Sequence, residues 1–287
     1  LGIPRDEDAA KIWQELFESA GVEAKIVAVG SCEDGDRDGM QGGRIFYYDA
    51  KKNWWSRAGV PANMPIGEPG GPDSEVFYDF GDEHHDASYG EPHPASDSPR
   101  FLEIGNNVFM QYIKTESGFE PLRHQNIDFG GGLERQAAAV NGNPDVYRTS
   151  LLWPIVEQLS VISSLSYEGN ETAMRVIADH VRGATFMAVD GIRPSNTAQG
   201  YVLRRLTRRA IRRGLELGIE SGLMAAIVPT VIDIYKEAYP EVVEQASDVL
   251  EALRAEEEQF RKTLERGLRE FEKRTSELDV TQRPPKP

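Results

Sequence analysis

The stretch Asn126-Ile-Asp-Phe-Gly-Gly-Gly-Leu-Glu-Arg135, running on into Gln136-Ala-Ala-Ala-Val140, governs how the rest of the chain is read. Apolar/polar alternation, three glycines and then Leu-Glu-Arg before an alanine run predict a strand handing over to a helix. Gly130, Gly131 and Gly132 carry no Cβ, so the backbone there can take unusual dihedrals and let a flat ligand lie against it. Arg135 is the first strong cation after that opening, and its planar guanidinium can stack on a base or fork onto a phosphate. Asp128, two residues before Gly130, faces the same side of the strand and offers a carboxylate to an amine. A triple glycine can equally be a tight turn and nothing more, and this stretch alone leaves both readings open.

Upstream, residues 5–20 predict an amphipathic helix with Ala9, Ile12, Trp13, Leu16 and Phe17 at helical spacing. A short strand at 25–29, an acidic glycine-rich loop at 31–43, a strand at 44–48 and a short element from Asn53 follow. Residues 58–72, dense in Gly and Pro, are expected to be irregular, and 74–79 alternate as a half-buried strand. The polar insertion 81–99 holds His84, His85 and His93; with Ser96 and Ser98 beside them and no cysteine, they make a poor ligand set and predict a surface loop without metal. A longer strand at 101–115 turns at 116–118 into 119–122, and 125–129 enters the glycine run. Short strands with frequent reversals argue for an antiparallel sheet, with a helix on it from about Leu133 to Val140.

Downstream of Asn141-Gly-Asn-Pro144 the pattern turns helical, over 145–165, 171–189, 198–217, 221–238 and 241–277. Between Tyr201 and Gly214 lie Arg204, Arg205, Arg208, Arg209, Arg212 and Arg213, with no acidic residue among them. Arg204, Arg208 and Arg212 line one helical face and Arg205, Arg209 and Arg213 the adjacent one. Such a stripe calls for a polyanion or for facing carboxylates, and a net charge of −15 means the chain can supply the latter. The preceding loop, Pro194-Ser-Asn196-Thr-Ala-Gln-Gly200, can bring an amide to a base edge.

Several stretches together resemble alanyl-tRNA synthetases, a family of class II aminoacyl-tRNA synthetases. Asp128–Arg135 resembles their motif 3. In the family's order stand N-W-W-S-R-A-G (53–59), G-P-D-S-E-V-F-Y-D (71–79), F-L-E-I-G-N-N-V-F-M-Q-Y (101–112) and the long run R-V-I-A-D-H-V-R-G to R-A-I-R-R-G (175–214). The resemblance implies an α+β fold, with an incomplete antiparallel sheet of class II synthetase type followed by an all-helical tRNA-recognition domain. It divides the chain into 1–143 (the C-terminal part of the catalytic domain), 144–277 (tRNA recognition) and 278–287 (a disordered, proline-rich tail). It further implies attachment of alanine to tRNA(Ala) through an ATP-derived alanyl-adenylate, with Mg²⁺ on the phosphates, in the cytoplasm. Trp55, Asn106, Asp128 and Gly130 would line the alanine and adenylate pocket, with Asp128 on the α-ammonium and Gly130 limiting pocket size. Glu75, Gly132 and Arg135 would serve ATP, Arg135 as the catalytic cation stacked on adenine. Asn196 would read the G·U wobble pair, and Arg204, Arg205, Arg208, Arg209 and Arg212 would hold the acceptor stem.

The sequence departs from the family where Gly67-Glu-Pro-Gly-Gly-Pro-Asp-Ser-Glu75 lacks both cysteines of the common form, and where Gly105 stands for a frequent tryptophan. Motifs 1 and 2 and the zinc-bearing editing domain have no counterpart here, and Leu1 in place of an initiator methionine points to a chain cut from something longer. The expectation is therefore a fragment inactive, or nearly so, in adenylation. The rival is a non-catalytic module that grips a tRNA acceptor stem through the arginine helix; a truncated product without its own function is a third reading. One cysteine, Cys32, excludes an intrachain disulfide, and no apolar run is long enough to span a bilayer. Self-association is left open.

Overall fold

A computed structural model describes residues 3–276, so the tail expected at 278–287 lies outside the described residues. The chain divides into two compact units, the first ending at Val146 and the second beginning at Tyr147. The first unit opens with α1 (Glu7–Ser19), whose start is capped by Asp6 accepting from the Ala9 amide at 2.7 Å. Strands β1 (Ile26–Gly30) and β2 (Ile45–Tyr48) pair in parallel in a small sheet of their own, where a single antiparallel sheet was expected. The connection between them is also not the predicted loop. It contains α2 (Cys32–Asp38), started by a capping box in which Ser31 and Asp34 satisfy each other's amides.

The main sheet is antiparallel, in the order β3 (Trp54–Ser56), β4 (Pro69–Asp79), β5 (Phe101–Thr115), β6 (Gly118–Gly131), and α3 (Leu133–Val140) follows directly. Two expectations change here. Residues 69–72 join β4 because Gly71 lacks a side chain: a Cβ there would lie 1.7 Å from the Phe109 carbonyl oxygen. Residues 118–131 form one continuous strand, with the chain folding back as a tight hairpin at Thr115 and Gly118. One face of the sheet is packed, Trp54 lying against Tyr112 and Phe119 with its indole N–H donating to Met64 Sδ at 3.3 Å.

The insertion between β4 and β5 is tied at both its neck and its middle. At the neck, buried Arg100 donates to both Asp79 carboxylate oxygens, at 2.6 and 2.8 Å, and also to Asp82. At the middle, His93 is fully buried, contrary to the surface loop expected from the sequence. Its Nδ1 meets the Tyr48 hydroxyl at 2.7 Å and its Nε2 meets Asp36 at 2.8 Å, which satisfies both ring nitrogens. Gly35 makes the room, since a Cβ there would fall 2.6 Å from the imidazole.

The second unit is helical: α4 (Trp153–Ser163), α5 (Glu171–Val189), α6 (Ala198–Glu216), α7 (Leu223–Tyr235), α8 (Glu241–Glu244) and α9 (Ala246–Ser276). Its core gathers Ile155, Leu159, Met174, Ile177, Leu203, Ile211, Ile227 and Leu253, all fully buried. The helix expected over 145–165 starts only at Trp153, and the one over 241–277 is broken at Gln245. Buried Glu257 of α9 accepts from the Leu223 and Met224 amides at 3.0 and 2.9 Å, capping α7 from a distance in sequence.

Candidate functional site

Partners directly opposite in an antiparallel ladder share a face, as do residues two apart in one strand. Glu75 stands opposite Asn106, which stands opposite Gly130; Asp73 stands opposite Val108, which stands opposite Asp128. Trp55 stands opposite Gly71, two residues before Asp73. Trp55, Asp73, Glu75, Asn106, Asp128 and Gly130 thus share the sheet face opposite the one Trp54 packs. A register shift in the β4–β5 pairing, with Gly105 opposite Val76 but Glu103 opposite Phe77, turns Glu103 onto the same face.

This face is acidic and strained in charge. The Asn106 amide nitrogen lies 3.5 Å from Asp73 Oδ2, while Asp73 Oδ1 is buried without a hydrogen-bond partner. Burial pushes the Asp73 carboxyl up to about 6, with the Glu103 charge adding to the effect. Burial, then the charges of Glu103 and Asp73, pushes Glu75 up to about 7. Arg135 is the nearby counter-charge, its Nη1 donating to Glu103 Oε2 at 3.1 Å and to the Glu103 carbonyl at 3.2 Å. Asp128 is exposed and makes no hydrogen bond or ion pair among the described residues, and Trp55 is 43% exposed.

The three glycines serve space more than unusual dihedrals, since none of them has a positive φ. A Cβ on Gly131 would meet Gln136 Nε2 at 2.6 Å and one on Gly132 would meet Arg135 Cδ at 3.0 Å, whereas one on Gly130 would meet nothing. Gly131 and Gly132 therefore let the first turn of α3 fold against the strand end, and Gly130 leaves the sheet surface bare. A cavity of about 550 Å³ borders the same region, between α1, β2 and β4. Asp73 and Glu75 line it, but Trp55, Asn106, Asp128, Gly130 and Arg135 do not.

In the helical unit, the loop before α6 is folded back on the helix, with the Ser195 amide donating to the Gly200 carbonyl at 3.0 Å. A Cβ on Gly200 would lie 2.3 Å from Ser195 Oγ, so glycine is needed for this closure. Asn196 stands exposed at the loop's tip, with no hydrogen bond among the described residues. The arginines of α6 divide. Arg205, Arg209 and Arg212 are exposed and Arg204 is partly so. Arg208 is turned inward, donating to buried Glu256 at 2.6 Å and lying over the Phe260 ring. Arg213 pairs with Glu216 at 2.5 Å, with Arg212 4.0 Å from the same carboxylate.

The family model for class II tRNA synthetases (A) matches residues 5–283. This chain belongs to that family. It is 38% identical over 280 residues to the alanine–tRNA ligase of Hydrogenovibrio crunogenus, covering 97% of this chain and 30% of that protein. It is 40% identical over 279 residues to the alanine–tRNA ligase of Deinococcus radiodurans, covering 94% of this chain and 30% of that protein. To the alanine–tRNA ligase of Shouchella clausii it is 40% identical over 232 residues. The chain thus spans less than a third of the length of these curated relatives. The α+β architecture with a four-stranded antiparallel sheet is that of a class II synthetase unit, and no described helix is long and apolar enough to cross a membrane.

Within this class II unit two residues escaped the sequence reading. Glu103 lies three positions before Asn106, inside a stretch already singled out, but only the register shift in β5 brings it to the site. Asp73 lies in the stretch 67–75 already singled out, but its type gave no sign that one carboxylate oxygen would be buried without a partner.

Proposed function

We propose that this chain supplies one wall of an alanyl-adenylate pocket and a grip on the tRNA acceptor stem, for the ligation of alanine to tRNA(Ala). The row Glu75–Asn106–Gly130, with Asp128 beside it and Arg135 at its end, is the observation that supports this reading best. Asp128 would hold the α-ammonium, Trp55 and the bare surface at Gly130 would flank the amino acid, and Arg135 would stack on adenine and neutralise the outer phosphates. Little acid–base chemistry is required of side chains, because adenylate formation and acyl transfer depend largely on positioning and charge neutralisation. Among the described residues no three carboxylate, histidine or cysteine groups converge as a metal site. Mg²⁺ would enter with ATP, as the counter-ion of its phosphates.

Because Trp55, Asp128 and Gly130 are open to solvent, the wall is unlined on its far side, and the chain alone is expected to catalyse alanine-dependent ATP–pyrophosphate exchange at background level. Exchange clearly above background would show that the pocket is complete. Asn196 and the exposed Arg205, Arg209 and Arg212 fit acceptor-stem binding, with Arg208 contributing through the fold. Filter binding of tRNA(Ala) against a variant carrying G·C at the wobble pair tests this. Loss of affinity supports recognition through Asn196, whereas equal affinity with a steep salt dependence supports a nonspecific polyanion module.

A further inference from the structure

Arg135 is held by one nitrogen only. Its Nη1 carries both contacts to Glu103, while Nε and Nη2 have no partner among the described residues. We propose that Glu103 is a positioning residue for nucleotide binding: it fixes the guanidinium through Nη1 and leaves the Nε–Nη2 edge free to fork onto a phosphate. This rests on the reading of Arg135 as the nucleotide's arginine.

Three features converge on the assignment. The register shift between Gly105 and Glu103 places this carboxylate, and its backbone carbonyl, within reach of α3. Gln136 donates to the neighbouring Ile104 carbonyl at 3.3 Å, so two consecutive α3 side chains are moored to the same bend of β5. Gly132 allows the Arg135 stem to fold back along the helix start, where a Cβ would lie 3.0 Å from its Cδ. The direction of the guanidinium is therefore set by β5, across the sheet, as much as by its own helix.

Glu103 has a second effect of opposite sign. Its charge reaches Asp73 and Glu75, and it would repel a polyphosphate in the same way. The two effects separate by substitution, because Glu103→Gln keeps an acceptor oxygen and removes the charge, while Glu103→Ala removes both.

The test titrates the purified chain, by calorimetry, with Mg·ATP and with inorganic triphosphate. Glu103→Gln is expected to bind at least as tightly as the parent, and Glu103→Ala about fivefold more weakly than Glu103→Gln, the size of one partly exposed charged contact. In an Arg135→Ala background the difference between the two variants should vanish. Glu103→Ala binding as tightly as Glu103→Gln overturns the proposal. A ligand-free measurement, ¹⁵N relaxation at Arg135 Nε, should find an ordered side chain in the parent and Glu103→Gln and a more mobile one in Glu103→Ala, where only the backbone carbonyl of residue 103 still accepts from Nη1; equal mobility in all three also overturns it. If the parent binds neither ATP nor triphosphate, the nucleotide reading itself fails and the held arginine has no such use. The relaxation result still reports separately whether Glu103 holds Arg135.

Discussion

In the helical unit Ile155, Leu159, Met174 and Ile177 have no exposed surface, whereas on β6 of the sheet unit Ile127 and Phe129 are each 63% exposed. Helices bury an apolar stripe against neighbours close in sequence, and α4 to α9 close such a core within one unit. A sheet buries a face only where another layer covers it, and β6, which pairs among the described residues with β5 alone, carries Ile127 and Phe129 uncovered. The sheet unit buries Trp54, Met64, Phe80, Val108 and Phe109 and adds polar ties to them: Arg100 at the neck of the insertion and His93 between Tyr48 and Asp36. Ile127 and Phe129 lie bare on one face of β6 while Asp128 and Gly130 lie exposed on the other, so this strand is uncovered on both faces.

The sharpest way to break this contrast is a matched pair of truncations. Ile177→Ala, at a fully buried site, should destabilise its unit by about 2–5 kcal/mol in denaturant unfolding. Phe129→Ala, at an exposed site, should stay within about 0.5 kcal/mol. Similar losses would mean that β6 is covered in solution.

A smaller effect is expected from His93→Ala, which removes the partner of the buried Tyr48 hydroxyl and of Asp36. The loss should be about 1–3 kcal/mol, with increased proteolysis between Gly81 and Pro99 and no change in the helical unit. Unchanged cleavage would show that the neck alone orders the insertion.

The smallest effect is electrostatic. Glu75 has its carboxyl raised to about 7 in the folded chain, so folding favours its protonated form. The cost of its charge is absent below the unfolded value near 4.5, grows as pH rises and is complete above about 7. Stability of the sheet unit should therefore fall from pH 5 to pH 8, by about 1–2 kcal/mol once partial exposure is discounted. Asp73, raised to about 6, adds to the same slope, so Glu75→Gln should reduce the slope without abolishing it; an unaltered slope would place its origin elsewhere.

These properties were unevenly legible in the residues. The helical unit could be read because its apolar period is local, and Asp128, Asn106 and Arg135 could be singled out by type and order. What could not be read depends on distant partners. Arg208 and Arg205 stand side by side in a uniform stripe, yet Glu256, 48 positions away, turns Arg208 inward while Arg205 stays exposed. His93 sits in a stretch polar enough to pass for surface, and only Tyr48 and Asp36, on other elements, show it to be an anchor. Residues 31–43 read as a loop because they are acidic and glycine-rich, a composition that disfavours helix, whereas the capping box of Ser31 and Asp34 starts α2 within them.

The Arg100–Asp79 pair joins the last residue of β4 to the residue just before β5. The two strands therefore meet in register whatever chain runs out from that junction and back, and closing a longer excursion costs little, since the entropy grows only slowly with length. The junction is thus a natural grafting point. A reporter peptide or foreign loop could be spliced between Asp82 and Arg100 with the sheet left to align itself, provided the void vacated by His93 is filled.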